Sequence, residues 1–451
     1  MESRESACIL IHFSSINFYV KASPYHQLEE IPLLGNLTVK QFALDNGLRV
    51  AIVVDATTPI FTYQTWFKVG SADEPAGRQG LAHLFEHMMF RKTSRHDMGE
   101  FERIVNNNGG TGINAYTSRD QTVYFFTFPN DKLEIAVDLE ADRMTNLLID
   151  AEMFETEKGA VVTEKNRGLD DPGRYLWEES YKLAYTKHNY RYSTIGEVES
   201  IQNFTVDDAR SFYKNFYSPN NALIIVAGDV EPEAVMKSIA EKYGSFSQSP
   251  PHKRDVIDEP KQLDERTSTV THPKATSKML VKLWHVPNIL HPDYPALATV
   301  GRLLTSGKSA ILHERILNKA KATELFSDAY MSRDLGTFEL FVQISAGESL
   351  DEVEKIFYEA ITELADGKIS EEQVSIVKNN LKKEVYQAVT VPARLARLLG
   401  DSFIYTGDLS YQIKTIGEIE KVGIEDVRRV IKQYMLEGKP TTVKLLPGKE
   451  Q

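Results

Sequence analysis

The sequence predicts an α+β protein built from two homologous halves. Three observations carry that reading. Strand-like and helix-like patterns follow one another along the chain, a polar segment with two adjacent prolines divides its 451 residues into parts of comparable length, and a helix-turn-strand pattern of the first part recurs in the second. At ~150 residues per domain the length allows two to four units. Hydrophobic residues at 42% and charged ones at 26% fit a globular chain able to bury substantial cores.

Taken in order, residues 1–36 read as an N-terminal extension. Ala7 to Phe13 and Ile16 to Val20 resemble a broken apolar export signal ending near Lys21-Ala22-Ser23, although Glu2, Arg4 and Glu5 supply no net positive start. This leans the expected location to the periplasm or outside the cell over the cytoplasm. Residues 37–244 form the first half. Within it, Asn46-Gly47 between apolar stretches predicts a hairpin over Phe42 to Asp55, because both turn positions tolerate positive φ. Phe61 to Val69 alternates as a strand, Gly80 to Phe90 has helical spacing, Gln121 to Phe128 is a further strand, and Asp131 to Leu148 a helix. Residues 245–265 read as the linker and 266–451 as the second half. The repeat shows in Val206-Asp-Asp-Ala-Arg210 against Ile424-Glu-Asp-Val-Arg428, each leading into an apolar strand, Ala222 to Ala227 and Thr442 to Leu446. An Ile-Gly-Glu triplet precedes each, at Ile195 and Ile416.

Charge and composition exclude several classes. A formal charge of −12 argues against a nucleic-acid binder. No run of about 20 apolar residues predicts a membrane span. Cys8, the single cysteine, cannot close an intramolecular disulfide, so stability rests on packing or a metal.

The chemistry concentrates in His83-Leu84-Phe85-Glu86-His87. Positions i and i+4 share a helix face, so both imidazoles can reach one ion with Glu86 beside them. Zinc takes neutral imidazole and carboxylate ligands and, in catalytic sites, three protein ligands with an open position for water. A neighbouring carboxylate then accepts a proton from that water. A solvated helix carrying two surface histidines is opposed by Leu81, Leu84, Phe85, Met88, Met89 and Phe90, which make the segment mostly apolar. The third ligand must come from another element. Asp150 to Asn166 predicts a helix capped by Asp150, on which Glu157 and Glu164 lie two turns apart on one face, and Gly159 and Ala160 would admit a close neighbour helix. Taken alone, this helix reads more readily as a charged, exposed face.

The order and spacing of these residues resemble the pitrilysin-like (M16, inverzincin) metallopeptidases, whose motif is HxxEH with a distal glutamate roughly 75 to 80 residues on. Here Glu164 stands 77 positions after His87, and Glu157 seven before Glu164. The resemblance implies His83, His87 and Glu164 as ligands of one zinc ion per chain, Glu86 as general base and Glu157 as a carboxylate orienting the site. It extends through Gly70 to His83, through Asn114-Ala115-Tyr116-Thr117 with Gln121 to Tyr124, through His188 to Glu197, and into Tyr294 to Leu312 of the second half. The implied fold is two α/β-roll repeats, mostly antiparallel mixed sheets with helices on one face, forming half of a clam shell. Asn114 and Ala115 would lie on the strand edge that takes up peptide substrate. Arg91-Lys92-Thr93 departs from the family's Lys-Gly-Thr, which should alter a turn and leave the metal site intact.

The resemblance also leads one to expect an Arg and a Tyr seven positions on, donors for the charge that builds on a scissile carbonyl. Arg302, Arg315 and Arg333 are followed at that spacing by Ser309, Ala322 and Leu340. Tyr330 and Arg333 are read as ordinary surface or core residues. The expectation is therefore a zinc endopeptidase subunit whose Arg and Tyr come from a homologous subunit lacking HxxEH, in preference to a homodimer. The competing reading is a non-catalytic scaffold subunit of a processing complex.

Overall fold

A computed structural model describes residues 24–250, 254 and 256–448, so the candidate export signal lies outside the described residues. In the first half, β1 (Tyr25–Pro32), β2 (Thr38–Leu44), β3 (Arg49–Val54) and β4 (Ile60–Phe67) precede α1 (Leu81–Met88) and α2 (Glu100–Asn107). Next come β5 (Thr111–Thr117), β6 (Thr122–Pro129), α3 (Leu133–Asn146), α4 (Ala151–Leu169) and α5 (Pro172–Ala184). The half ends with α6 (Val198–Gln202), α7 (Val206–Phe216), β7 (Ala222–Gly228) and α8 (Pro232–Tyr243). The second half runs β8 (Arg266–His272), β9 (Met279–Val286), α9 (Tyr294–Thr305), β10 (Ala322–Ala329), β11 (Gly336–Ile344), α10 (Leu350–Ala365) and α11 (Glu371–Val389). It closes with α12 (Pro392–Thr406), α13 (Tyr411–Lys421), α14 (Ile424–Val430) and β12 (Thr441–Pro447).

The two sheets share one topology. Their strand orders are β1-β2-β3-β7-β4-β6-β5 and β10-β11-β9-β12-β8. Reversing the second list matches β8, β12, β9, β11 and β10 to β3, β7, β4, β6 and β5. In both, the strand entered from the repeated helix-turn pattern inserts between two others, parallel to one neighbour and antiparallel to the other. The extra strands β1 and β2 extend only the first sheet. Tyr25–Pro32, within the segment read from sequence as an extension, thus pairs antiparallel with Thr38–Leu44.

Alternation along the central strands buries both sheet faces. In β7, Ile224 and Val226 face a core shared with Phe85, Val137 and Phe212, whereas Leu223 and Ile225 face a second cluster. That second cluster is completed by α12 of the other half, through Leu395, Leu399 and Phe403. Reciprocally, α5 of the first half covers the second sheet, where Leu176 and Tyr181 join Val281, Phe341 and Val443. Each sheet therefore carries its own helices on one face and a helix from the opposite half on the other. Gly400 is where α12 meets the fully buried Trp66: a Cβ there would lie 2.1 Å from the indole ring.

Buried charge also ties the halves together. Arg333 reaches Asp73 (3.1 Å) and Asp120 (3.3 Å), while Arg254 bridges Asp73 (2.9 Å) to Asp334 (2.7 Å). Such a network is costly to break, because removing one partner strands a buried charge.

Candidate metal centre

The short helix α1 begins without a capping side chain of its own, at Gly80 with φ +109°. The missing cap comes from Glu74, 3% exposed, whose carboxylate accepts the backbone N–H groups of Gly80 and Ala82 at 2.8 Å each. Gly196, in the left-handed region with φ +84°, presses against the same turn, and a Cβ on it would lie 2.1 Å from the Gln79 carbonyl. Leu81, Leu84, Phe85 and Met88 are buried, which turns the polar side of the helix towards α4.

There His83 Nε2 and His87 Nε2 each stand 3.2 Å from Oε2 of Glu164. The donor atoms of His83, His87 and Glu164 lie within 4.8 Å of one another. Two imidazoles and one carboxylate within that span match a three-ligand zinc donor set. Glu86 Oε2 is 3.4 Å from His83 Nδ1 and accepts the Thr117 hydroxyl at 2.7 Å. Glu157, 3% exposed, lies 3.6 Å from His87 Nδ1 and is gripped on its other side by Arg91, at 2.8 and 3.0 Å. Carboxylate contacts of this kind fix ring orientation and raise the basicity of a ligating histidine.

The electrostatics follow from this packing. Burial pulls the His83 pKa down, but hydrogen bonds to Glu164 and Glu86 outweigh it and lift it to about 9. The same His83 contact, opposed by partial burial, draws Glu164 down to about 2. Burial works to raise Glu86 and Glu157, yet His83 and Thr117 in the first case, and His87 and Arg91 in the second, hold both below the ordinary carboxylate range. All three carboxylates are thus anionic near neutrality.

Asn114 and Ala115 lie on β5, the edge strand of the first sheet, with Asn114 exposed and Ala115 7% exposed. A bulge between Thr111 and Asn114 interrupts pairing with β6. The edge ends at Thr117, which touches Glu86, so the strand runs directly to the carboxylate beside the histidines.

Several sequence expectations need adjustment. Gly159 and Ala160 face solvent, and no atom comes within 4 Å of a Cβ at Gly159, so α4 meets α1 through its glutamates and not through small residues. Arg91 does more than alter a turn, since it holds Glu157. Arg302 pairs with Asp328 and Glu384, Arg315 with Glu363, and Arg333 with two aspartates, so each is held by carboxylates. Tyr330, read as an ordinary residue, lines a cavity that opens on His83. Sequence reading assigned Glu74, Thr117 and Arg91 no role at the metal, although the resemblances at Gly70 to His83 and Asn114 to Thr117 and the departure at Arg91 run through them.

Comparison with known proteins agrees with this geometry. Residues 49–197 match the insulinase, or M16 peptidase, family model, and residues 203–381 match the M16 peptidase inactive domain. The chain is 28% identical over 444 residues to the zinc protease PqqE of Helicobacter pylori, covering 97% of this chain and 98% of that protein. It is 24% identical to the mitochondrial-processing peptidase subunit beta of Blastocladiella emersonii over 87% of this chain and 85% of the relative. A crystal structure of a protease from Helicobacter pylori superposes with a TM-score of 0.86 at 28% identity, covering 91% of this chain and 99% of that one. Pitrilysin, 18% identical, shares the fold with a TM-score of 0.78 over 95% of this chain and 47% of its own. Two models of one family in tandem, over residues 49–197 and 203–381, and a His-His-Glu cluster within the first of them lead to one assignment: this chain belongs to the M16 family of zinc metallopeptidases, in its short two-domain form.

Proposed function

We propose that this chain is the zinc-carrying subunit of an endopeptidase that cleaves peptides or unfolded polypeptides, and that a homologous subunit lacking HxxEH completes its site. The convergence of His83, His87 and Glu164 within 4.8 Å, with Glu86 alongside, carries the reading. His83, His87 and Glu164 would hold the metal, and Glu157 would fix the His87 ring. Bound there, zinc supplies a Lewis acid and lowers the pKa of a coordinated water towards ~7. Glu86, kept anionic and oriented by Thr117, takes the proton from the attacking water and returns it to the leaving amine. Asn114 and Ala115 on the open edge of β5 would bind the substrate backbone as an added strand.

The partner requirement is supported by the state of the second half's arginines. Arg302, Arg315 and Arg333 are engaged by carboxylates, so none is positioned as a ready donor to a scissile carbonyl. One relative is, by its name, a subunit of a larger peptidase. The test is to assay the purified, zinc-loaded chain alone and with a co-purified homologous subunit. About one zinc per chain by elemental analysis, with turnover only in the presence of the second subunit, is expected. Full activity from the isolated chain overturns the partner requirement, and a chain that takes up no zinc overturns the metal assignment.

A further inference from the structure

A cavity of about 370 Å³ opens beside His83 and Glu164 and draws its walls from both halves. Trp177, Tyr181 and Tyr192 come from the first half and Tyr330 from the second, so its surface is largely aromatic. Two guanidinium groups, of Arg119 and Arg174, also line it. The Arg119 guanidinium lies 3.7 Å from the ring centre of Tyr181 and 5.3 Å from that of Tyr330, and its buried Nε has no hydrogen-bond partner. Among the described residues no carboxylate comes within ion-pair distance of either arginine.

The acids that face the cavity are already committed. Glu164 belongs to the metal cluster, and Glu178 is paired with Lys165 at 2.6 Å. Glu339 accepts the hydroxyls of Tyr181 and of Thr337 (2.9 Å), and burial pushes its carboxyl upward. Neither guanidinium thus has a direct ion-pair partner, and the carboxylates act on them only at longer range, Glu339 on Arg119 and Glu164 on Arg174. The position of Arg119 is also fixed. Arg119 follows Thr117 by two residues, and the adjoining backbone is pinned by Ser71 N–H to the Ser118 carbonyl (3.1 Å) and Ala72 N–H to the Arg119 carbonyl (2.9 Å). A guanidinium held in this way matches a carboxylate through two parallel N–H···O bonds, while the aromatic walls accept the apolar stem that carries it.

We infer that this cavity takes the substrate side chain next to the scissile bond and that Arg119 makes it select an acidic one, Asp or Glu. The inference rests on the peptidase reading above and names the substrate class for the same site.

The test uses zinc-loaded protein, with its partner subunit where one co-purifies, and peptides identical except for Glu, Gln, Lys or Phe on either side of one bond. Cleavage is read as kcat/KM. Binding of the same peptides to zinc-loaded Glu86→Gln is read by fluorescence anisotropy, which needs no bond cleavage. The Glu peptide is expected to exceed its Gln isostere by at least about tenfold in both readouts, as a charge-assisted pair provides. In Arg119→Gln that ratio should fall to within about twofold, and Arg119→Lys should restore part of it. Equal Glu and Gln values in the parent, a ratio that persists in Arg119→Gln, or an equal loss on every peptide each overturns the inference. Absent turnover with a preserved Glu-over-Gln binding difference would instead count against the peptidase reading and leave the pocket assignment standing.

Discussion

The two halves share a five-strand order and five α-helices between the fourth of those strands in the chain and the inserted one, yet only one gathers ligands. In the first, α1 presents His83, Glu86 and His87 to Glu157 and Glu164 on α4. In the second, α9 carries neither histidine nor acid, and Leu297, Val300 and Leu304 are fully buried. There the contact between α9 and α11 is made by Arg302 with Glu384 at 3.2 Å, and Arg302 also approaches Asp328 of β10 at 3.5 Å. The Ile-Gly-Glu triplet diverges as well. Ile195-Gly196-Glu197 is a turn against the start of α1, whereas Ile416-Gly417-Glu418 lies inside α13. The scaffold is thus indifferent to what joins its facing helices, and the chemistry resides in particular side chains and not in the topology.

That contrast can be tested in steps of decreasing size. Glu86→Gln should lower turnover by ~10²- to 10⁴-fold while zinc content stays at the parental level, since it removes a base and no ligand. Parental turnover in that variant would sink the assignment. Glu157→Gln should weaken zinc binding by about 10- to 100-fold in a chelator-competition titration, because His87 loses the carboxylate that orients it. Gly400→Ala probes the exchanged helix. An exposed helical Gly→Ala stabilises by up to ~1 kcal/mol, but here the methyl meets Trp66, so denaturant melts should show a loss of about 1 to 3 kcal/mol.

Asp401, on α12, accepts Gln121 of the first half at 2.7 Å, and burial lifts its pKa to about 6 against the opposing influence of Gln121 and Arg397. A folded-state pKa above the unfolded value of 3.8 means that the folded form holds its proton longer as pH rises. The resulting penalty is absent below about pH 4, grows through the window between the two values and is complete above about pH 6. Asp401→Asn should therefore stabilise by on the order of 1 kcal/mol in melts at pH 7.5 and by nothing at pH 4. The smallest effect is expected at the second half's counterpart contact. Glu384→Gln should leave zinc content and turnover within about twofold of the parent, because the pair is partly exposed and screened. A large loss there would mean the second half shares in the chemistry.

Much of the centre was legible in sequence because its signals are local or periodic. His83 and His87 at helical spacing, Glu157 and Glu164 two turns apart, the Asp150 cap and the repeated helix-turn-strand pattern depend on short-range geometry. Asp150 does accept the Met153 N–H, at 2.8 Å. Contacts between distant segments were not legible. Glu74 capping α1, Thr117 holding Glu86 and Arg91 holding Glu157 each join residues whose spacing carries no period. The exchange of α5 and α12 was hidden for the same reason, since an amphipathic helix does not declare which sheet it covers. Strand β1 escaped because its residues are almost all exposed or half-buried, so no alternating pattern marks it.

The helix exchange has a consequence for synthesis. A ribosome that has completed the first 265 residues has made the whole first sheet, but Val53, Trp66, Leu223 and Ile225 still lack the cover that residues 392–406 will bring. Until those residues emerge, that apolar face stays open to water and to other nascent chains, a hazard for aggregation. Premature termination between the halves would therefore release a sticky fragment, and chaperone demand should peak in the interval when the first sheet is complete and its lid is not yet made.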